Sequence, residues 1–388
     1  MNKIWISVGI IAFIAIAYRI QQNYGWRRTL VDEYSDNEIP LNYFSQKPVK
    51  LARLSVNNTL DFQKVFVINL PDRFDRRDQI AIMAAVSEIE VEYVDGVRIK
   101  EENLRSNRFP SQEPKMTATK LGCFRAHANL WRKIISENIA TALILEDDID
   151  WDFRLKEILS RSIEPLNHLM RGSESIKQSR KYNKQNSRQS WVQAGRKADW
   201  DILRLGTCVE LPHTKEAKAK SVNLDSVPFT VFRDSSVPDI GWISRPYQKL
   251  LSTYKIPIAP QNDTSSASRF RLIQQSNYPV CLHAYAITRA GAAKLLIQTG
   301  KGLIDGANDL TIAVHTQEER YRSFTFVPPV FSQWKRVGWS GNSDNGDVDL
   351  SHERNSTSSL NPGLSWDIRE GVRAVLNDDD YSLFAELQ

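Results

Sequence analysis

The stretch Thr141–Asp152, TALILEDDIDWD, constrains the fold of this chain more than any other. Ala142, Leu143, Ile144 and Leu145 form a continuous apolar run with the length and bounds of a buried strand, and it stops abruptly at Glu146, Asp147, Asp148 and, after Ile149, Asp150. Adjacent carboxylates repel one another. In open α/β sheets ligands bind at the carboxyl ends of strands, so an apolar strand delivering three neighbouring acids there points to a positive partner, most simply a divalent cation. The plainer reading, acids that only cap a strand or the next helix, has to absorb the cost of crowding three carboxylates without a cation. Asp150, one residue further on, reads as the start of the following helix.

With 388 residues, 41% apolar and 10% aromatic, the chain can bury one large core or two modest ones. The formal charge of +5 is small for this length, and no Lys/Arg cluster interleaved with aromatics marks a nucleic-acid surface. Three widely spaced cysteines, Cys123, Cys208 and Cys281, allow at most one disulfide and show no metal-ligand spacing; whether Cys208 and Cys281 pair stays open. There is no Walker motif, zinc-ligand pattern or nucleophile elbow.

Ile4 to Ala17 is almost wholly apolar and follows Lys3, so residues 1–20 read as a membrane-directed segment. It reaches spanning length only by including Tyr18 to Ile20, which suits a thin early-secretory membrane. Ala15-Ile16-Ala17 resembles a cleavage site, which would instead make the segment a removable signal peptide. Arg19, Arg27 and Arg28 on its far side argue against a lumenal body by charge asymmetry. Three N-x-Thr acceptors, at Asn57, Asn262 and Asn355, argue for one. The preferred reading is a single-pass type II signal anchor of the Golgi or ER with a lumenal body, and secretion after cleavage is the alternative. Residues 21–60, polar with Pro40 and Pro48, read as a stem.

The body runs from 61 to 345, and 346–388 form a tail. Val65 to Leu70 reads as the first core strand, followed by the helix-spaced PDRFDRRDQIAIMAAV; strand, basic turn and helix open a nucleotide-binding α/β unit. Arg73, Arg76 and Arg77 in that turn suit phosphate or uracil contacts, because guanidinium forks match phosphate oxygens; a solvated first turn is the plainer alternative for any one of them. Ile89 to Val94 is a second strand closing on Asp95, which can accept from a ribose or base or simply make a turn. Lys115 to Ser136 is a helix, capped by Thr117 or Thr119, with Phe124, Ala128, Trp131 and Ile135 as its apolar stripe. His127 at the stripe's edge is either a packed core residue or a site residue; the helix leads directly into the acidic strand.

Residues 171–199 are polar and basic and read as a surface insertion. Trp200 to Leu205 is another strand. Pro212 to Gln275 shows no clear period and reads as acceptor-binding loops. From Val280, CLHAYAIT alternates as a strand, Thr288 caps, RAGAAKLLIQTG is a helix, and Asp305 and Asp309 stand at the mouth of the next unit.

Together VFVINL with its arginine turn, LGCFRAHANLWRKII running into ALILEDD, WDILRLG, HAYAITRAGAAKLL with IDGAND, and VPPV resemble glycosyltransferase family 25, over blocks from about Val65 to Asp344. That resemblance implies a GT-A (Rossmann-like) mixed sheet flanked by helices, and a UDP-sugar donor, UDP-galactose in the best-known members. It also implies a glycan or glycoprotein acceptor, inversion at the anomeric carbon, and Mn²⁺ or Mg²⁺ held by the acidic motif. On that basis Asp148 is the direct metal ligand, Glu146 a ligand or ribose contact, and Asp344 of the late Ser-Asp pair a further ligand. Asn69, Arg73, Arg76, Arg77, Asp95, His127, Glu146 and Asp147 would line the donor. Asp305 is the first candidate for the base that deprotonates the acceptor, a mere helix N-cap being its plainer alternative, and Asp309 is the second. The chain departs from the family pattern where Ala126 stands in place of a serine before His127, and where INLPDRFDRR replaces a shorter INLDR turn. These departures motivate the alternative of a non-catalytic lumenal relative that binds nucleotide sugar or glycan.

Overall fold

β1 (Lys64–Asn69) forms where KVFVIN places β-branched and aromatic side chains in a run that is buried at four of six positions. The computed structural model describes residues 56–100, 102, 104, 117–172, 200–212, 229–261, 269–304 and 307–334, all within one compact unit, Val56–Arg369. β1 pairs in parallel with β2 (Glu92–Asp95) on one side and with β3 (Thr141–Glu146) on the other. β3 pairs antiparallel with β8 (Ala284–Thr288), which pairs antiparallel with β5 (Ile202–Gly206). β5 runs parallel to β9 (Ser323–Val327), and β7 (Phe270–Gln275) and β6 (Phe229–Arg233) complete the far edge antiparallel. The order is β2-β1-β3-β8-β5-β9-β7-β6, a mixed sheet of eight strands. β4 (Ile149–Trp151) and β10 (Phe331–Gln333) form a separate two-stranded ribbon.

The helices cover the sheet through the apolar stripes their spacing dictates. α1 (Phe74–Val86) buries Arg76, Ile80, Met83 and Ala84, positions on one helical face. α2 (Ala118–Ser136) begins at Thr117, whose hydroxyl accepts from Lys120 N at 3.3 Å, so the first of the two candidate caps is the one used. α2, α5 (Arg289–Thr299) and α6 (Asn308–Gln317) enclose one core with Phe66, Ile144, Ile202, Tyr285 and Ile287 of the sheet. A single glycine sets how closely the segment after β2 approaches α2: a Cβ on Gly122 would lie 2.3 Å from the Val97 carbonyl oxygen. Thr288 caps α5 by accepting from Gly291 N at 3.0 Å, as its sequence position suggests.

Two expectations are corrected. Residues 212–275 hold not only loops but β6, α4 (Arg245–Thr253) and β7, which complete the sheet edge. The alternation is hidden because the strands carry charge inward: Arg271 is fully buried, its Nε 2.6 Å from Asp234 Oδ2 and its Nη1 2.5 and 3.0 Å from the carbonyls of Pro328 and Pro329. Asp150 lies in β4 and is fully buried, while α3 (Leu155–Gly172) starts later, after Asp152 accepts from Arg154 N through Oδ1 at 2.8 Å. The proposed anchor and stem up to residue 55, the 173–199 stretch and the tail lie outside the described residues. Among the described residues no helix is long and apolar enough to cross a membrane.

Candidate functional site

The carboxyl ends of β1 and β3 and the amino end of β8 meet at one edge of the sheet, and the acids of the β3 terminus sit there in three different environments. Asp147 is buried and pinned: Asn69 Nδ2 donates to Oδ2 at 2.8 Å and Arg76 Nη1 to Oδ1 at 2.6 Å. Burial pushes its carboxyl above the usual range, against the pull of Arg76. Asp148 lies between two strands of contacts. Gln333 Nε2 donates to its Oδ2 at 3.0 Å and Trp334 N to its main-chain oxygen at 2.7 Å, while its Oδ1 is buried without a hydrogen-bond partner among the described residues. Burial, then the charge of Glu146, raise it, while Arg76 and His283 oppose. Glu146 is buried enough for desolvation to work upward, yet the hydrogen bond from His127 and the neighbouring His283 hold it below the usual glutamate value.

His127 is at once packed and part of the site. Trp131 Nε1, a donor only, reaches Tyr285 Oη at 2.9 Å, and the same hydroxyl lies 2.9 Å from His127 Nδ1. Tyr285 Oη thus accepts from Trp131 and shares a bond with Nδ1, while Nε2 lies 3.4 Å from Glu146 Oε1. Arg204 stands behind this chain, fully buried, 5.9 Å from the Tyr285 ring and without a hydrogen-bond partner for its guanidinium among the described residues. Burial brings its pKa down to about 10.

The arginine turn behaves as its helical phase requires. Arg76, on the face shared with Ile80, turns inward onto Asp147, so its guanidinium serves a carboxylate of the acidic motif. Arg73 pairs with Asp75 at 2.8 Å, and Arg77 lies 4.5 Å over the Tyr93 ring. Asp95 is exposed at the end of β2, in register with Asn69. Asp309, in the first turn of α6, accepts from Cys281 N at 3.2 Å. Its charge, with those of Glu146 and Asp148, is felt by the Cys123 thiol, whose pKa burial pushes up first and these three acids further. Asp309 thus shares an electrostatic neighbourhood with the acidic motif. Asp305 and Asp344 lie outside the described residues.

The sequence reading missed His283, Gln333, Tyr285 and Cys123. The alternation HAYAI places His283, Tyr285 and Ile287 on one face, a usable signal for the first two; Gln333 carries none. The open cysteine question is answered by a Cys208–Cys281 disulfide, Cα–Cα 5.6 Å, joining the chain just after β5 to the chain just before β8. His283 Nε2 sits 3.8 Å from Cys208 Sγ.

A divalent cation fits this donor set. Glu146 and Asp148 offer hard oxygen ligands, and the orphaned Asp148 Oδ1 is a buried lone-pair site of the kind such an ion takes.

A mixed α/β sheet with an acid-tipped central strand and a histidine on the preceding helix defines an α/β protein with a polar ligand site at a strand end. The description "Glycosyltransferase family 25 (LPS biosynthesis protein)" belongs to the family model that matches residues 62–310, and the chain belongs to that family. Procollagen galactosyltransferase 2 of Mus musculus is similar at 30% identity over 118 residues, 28% of this chain and 19% of that protein. The Drosophila melanogaster glycosyltransferase 25 family member is 28% identical over 144 residues, 34% of this chain and 23% of that one. The inactive glycosyltransferase 25 family member 3 of Homo sapiens is 30% identical over 118 residues, 27% of this chain and 20% of that protein. The chain spans about a fifth of the length of these curated relatives.

Proposed function

We propose that this chain is a GT-A glycosyltransferase that moves a hexose, galactose in the first instance, from a UDP-sugar to a glycan or glycoprotein acceptor with inversion. The observation that carries the reading is the Asp148 Oδ1, buried and without a hydrogen-bond partner among the described residues, beside Glu146 at the carboxyl end of β3. Family membership and the galactosyltransferase relatives supply the substrate class.

Glu146 and Asp148 would hold Mn²⁺ or Mg²⁺, with Asp344 as a further ligand; such an ion neutralises charge on a departing diphosphate. The chain's own residues do the rest. Arg76 and Asn69 fix Asp147, so the acidic turn keeps one geometry. His127 orients Glu146 and keeps it ionised. Gln333 and Trp334 tie Asp148 to β10. Arg73, Arg77 and Asp95 would meet the nucleotide. Single displacement needs a base opposite the leaving group, and Asp305, then Asp309, take that role, by the same geometry as inverting glycosidases. The test is a panel of UDP-sugars with purified protein and Mn²⁺, read as UDP release. Cation-dependent hydrolysis of one sugar, UDP-galactose first, is expected; silence across the panel, with or without glycan acceptors, rejects the transferase reading.

Silence with measurable UDP-sugar or glycan binding would instead support a non-catalytic relative, a reading favoured by the inactive human family member. On this reading the body lies in the lumen of the Golgi or ER, held by residues 1–20 or secreted after their removal. Asn57, exposed at the start of the compact unit, is one of the three N-x-Thr acceptors. Endoglycosidase treatment of protein made in secretory cells should raise its mobility; no shift in wild type counts against the lumenal assignment.

A further inference from the structure

Cys123 and His127 stand one helical turn apart on α2, and Glu146 reaches the same point from the end of β3. One ligand atom from each, Sγ, an imidazole nitrogen and a carboxylate oxygen, lies within 4.8 Å of the other two. The Nε2–Oε1 separation of 3.4 Å is that of two ligands sharing one tetrahedral ion with bonds of roughly 2.0–2.1 Å. We infer that Cys123, His127 and Glu146 form a site for a borderline transition-metal cation of the Zn²⁺ class, distinct in ligand chemistry from the oxygen-only site proposed for the diphosphate metal.

Three features support the site beyond proximity. The first is the ligand set. Thiolate and imidazole favour Zn²⁺ or Co²⁺ over Mg²⁺ and Mn²⁺, and three protein ligands leave a fourth position open for water. The second is the support behind the histidine. A metal-bound imidazole needs its other nitrogen anchored, and Tyr285 Oη lies 2.9 Å from Nδ1, itself held by Trp131 Nε1. The hydroxyl oxygen can accept from Nδ1–H as well as from Trp131, so the single imidazole proton can sit on Nδ1 and leave Nε2 free as a ligand. The third is access. Cys123 keeps an exposed edge, which gives an ion a route in.

Binding would convert Cys123 S–H to thiolate with its proton released to solvent, while the imidazole stays neutral. No redox partner is required. Although Glu146 is common to both sites, the inference stands on the Cys123–His127–Glu146 geometry and not on the transferase reading, and it can be tested with no nucleotide sugar present.

Of the three cysteines, Cys208 and Cys281 are joined, so Cys123 is the one thiol able to bind an ion. Purified, metal-free full chain would be titrated with Co²⁺ by absorption and with Zn²⁺ by calorimetry. The expected result is one ion per chain, a tetrahedral Co²⁺ spectrum and a sulfur-to-cobalt charge-transfer band. In Cys123→Ser the band disappears and the Zn²⁺ Kd rises at least tenfold. Should Cys123→Ser fold poorly, Cys123→Asp, which retains an anionic ligand, should bind Zn²⁺ without the band. Absence of the band in wild type, or an unchanged Zn²⁺ Kd in a folded Cys123 variant, overturns the site. Failure of UDP-sugar turnover would leave this result untouched.

Discussion

Asp148→Asn is expected to lower cation-dependent UDP-sugar turnover by on the order of a hundredfold to a thousandfold while the protein stays folded. The two halves of that expectation have separate causes. The side chain contributes a bond from Gln333, which an amide oxygen can still accept, and a long 3.9 Å approach to Arg76 Nη1, whose short partner is Asp147; the bond from Trp334 goes to the main chain and is untouched. What is lost is an anionic ligand at the orphaned Oδ1 position. Burial and the neighbouring Glu146 make the charge on Asp148 costly, so the amide should hold or slightly raise the melting temperature. A variant that is folded and turns over at the wild-type rate removes Asp148 from the metal site. A variant that fails to fold would show that the residue's main task lies in tying β10 to the acidic turn.

Asp152→Asn should stabilise the protein at neutral pH, by about 4 kcal/mol at most, and flatten its dependence on pH. Asp152 is fully buried near Asp234, and burial first, then that second carboxylate, push its pKa from 3.8 to about 7. The folded state therefore holds a proton that the unfolded chain has released. Below pH 4 both states are protonated and the group contributes nothing. Between about 4 and 7 the unfolded state alone is ionised, and stability falls steadily as pH rises; above 7 the full penalty remains. An asparagine never ionises, and its Oδ1 can keep the bond from Arg154 N. Arg271 and Asp234 remain paired in either case. Melting curves of both proteins from pH 4.5 to 8 should converge at the acid end and separate at the alkaline end. Parallel curves would mean that Asp152 titrates as an ordinary carboxylate.

How much of this could be read from the residues depended on whether a segment obeyed one period. VFVIN, TALILE and AYAIT are apolar strands buried for most of their length, and their strength as signals comes from that burial. The α2 stripe was legible for the same reason, since its residues face one core. The β6–β7 edge was not, because Arg271 sits where an apolar residue is expected and is satisfied by Asp234, Ser236 and two proline carbonyls far away in sequence. In the site, Glu146, Asp147, Asp148 and His127 could be nominated from their neighbours along the chain. Their division of labour could not: only the fold brings Arg76 onto Asp147, leaves one Asp148 oxygen unpaired, and aligns Trp131, Tyr285 and His127. Gln333 arrives from a distant segment whose local pattern says nothing of the acid it touches.

The Cys208–Cys281 bond has one more result. It closes a ring across a separation of 73 residues that contains β6, α4 and β7, and a ring of that size stabilises the fold by roughly 4 kcal/mol through the unfolded chain. A protease that cuts once inside that ring does not release a piece. The two fragments stay joined by sulfur, and β7 stays hydrogen-bonded to β9, so a nicked molecule migrates as a single species until a reductant is added.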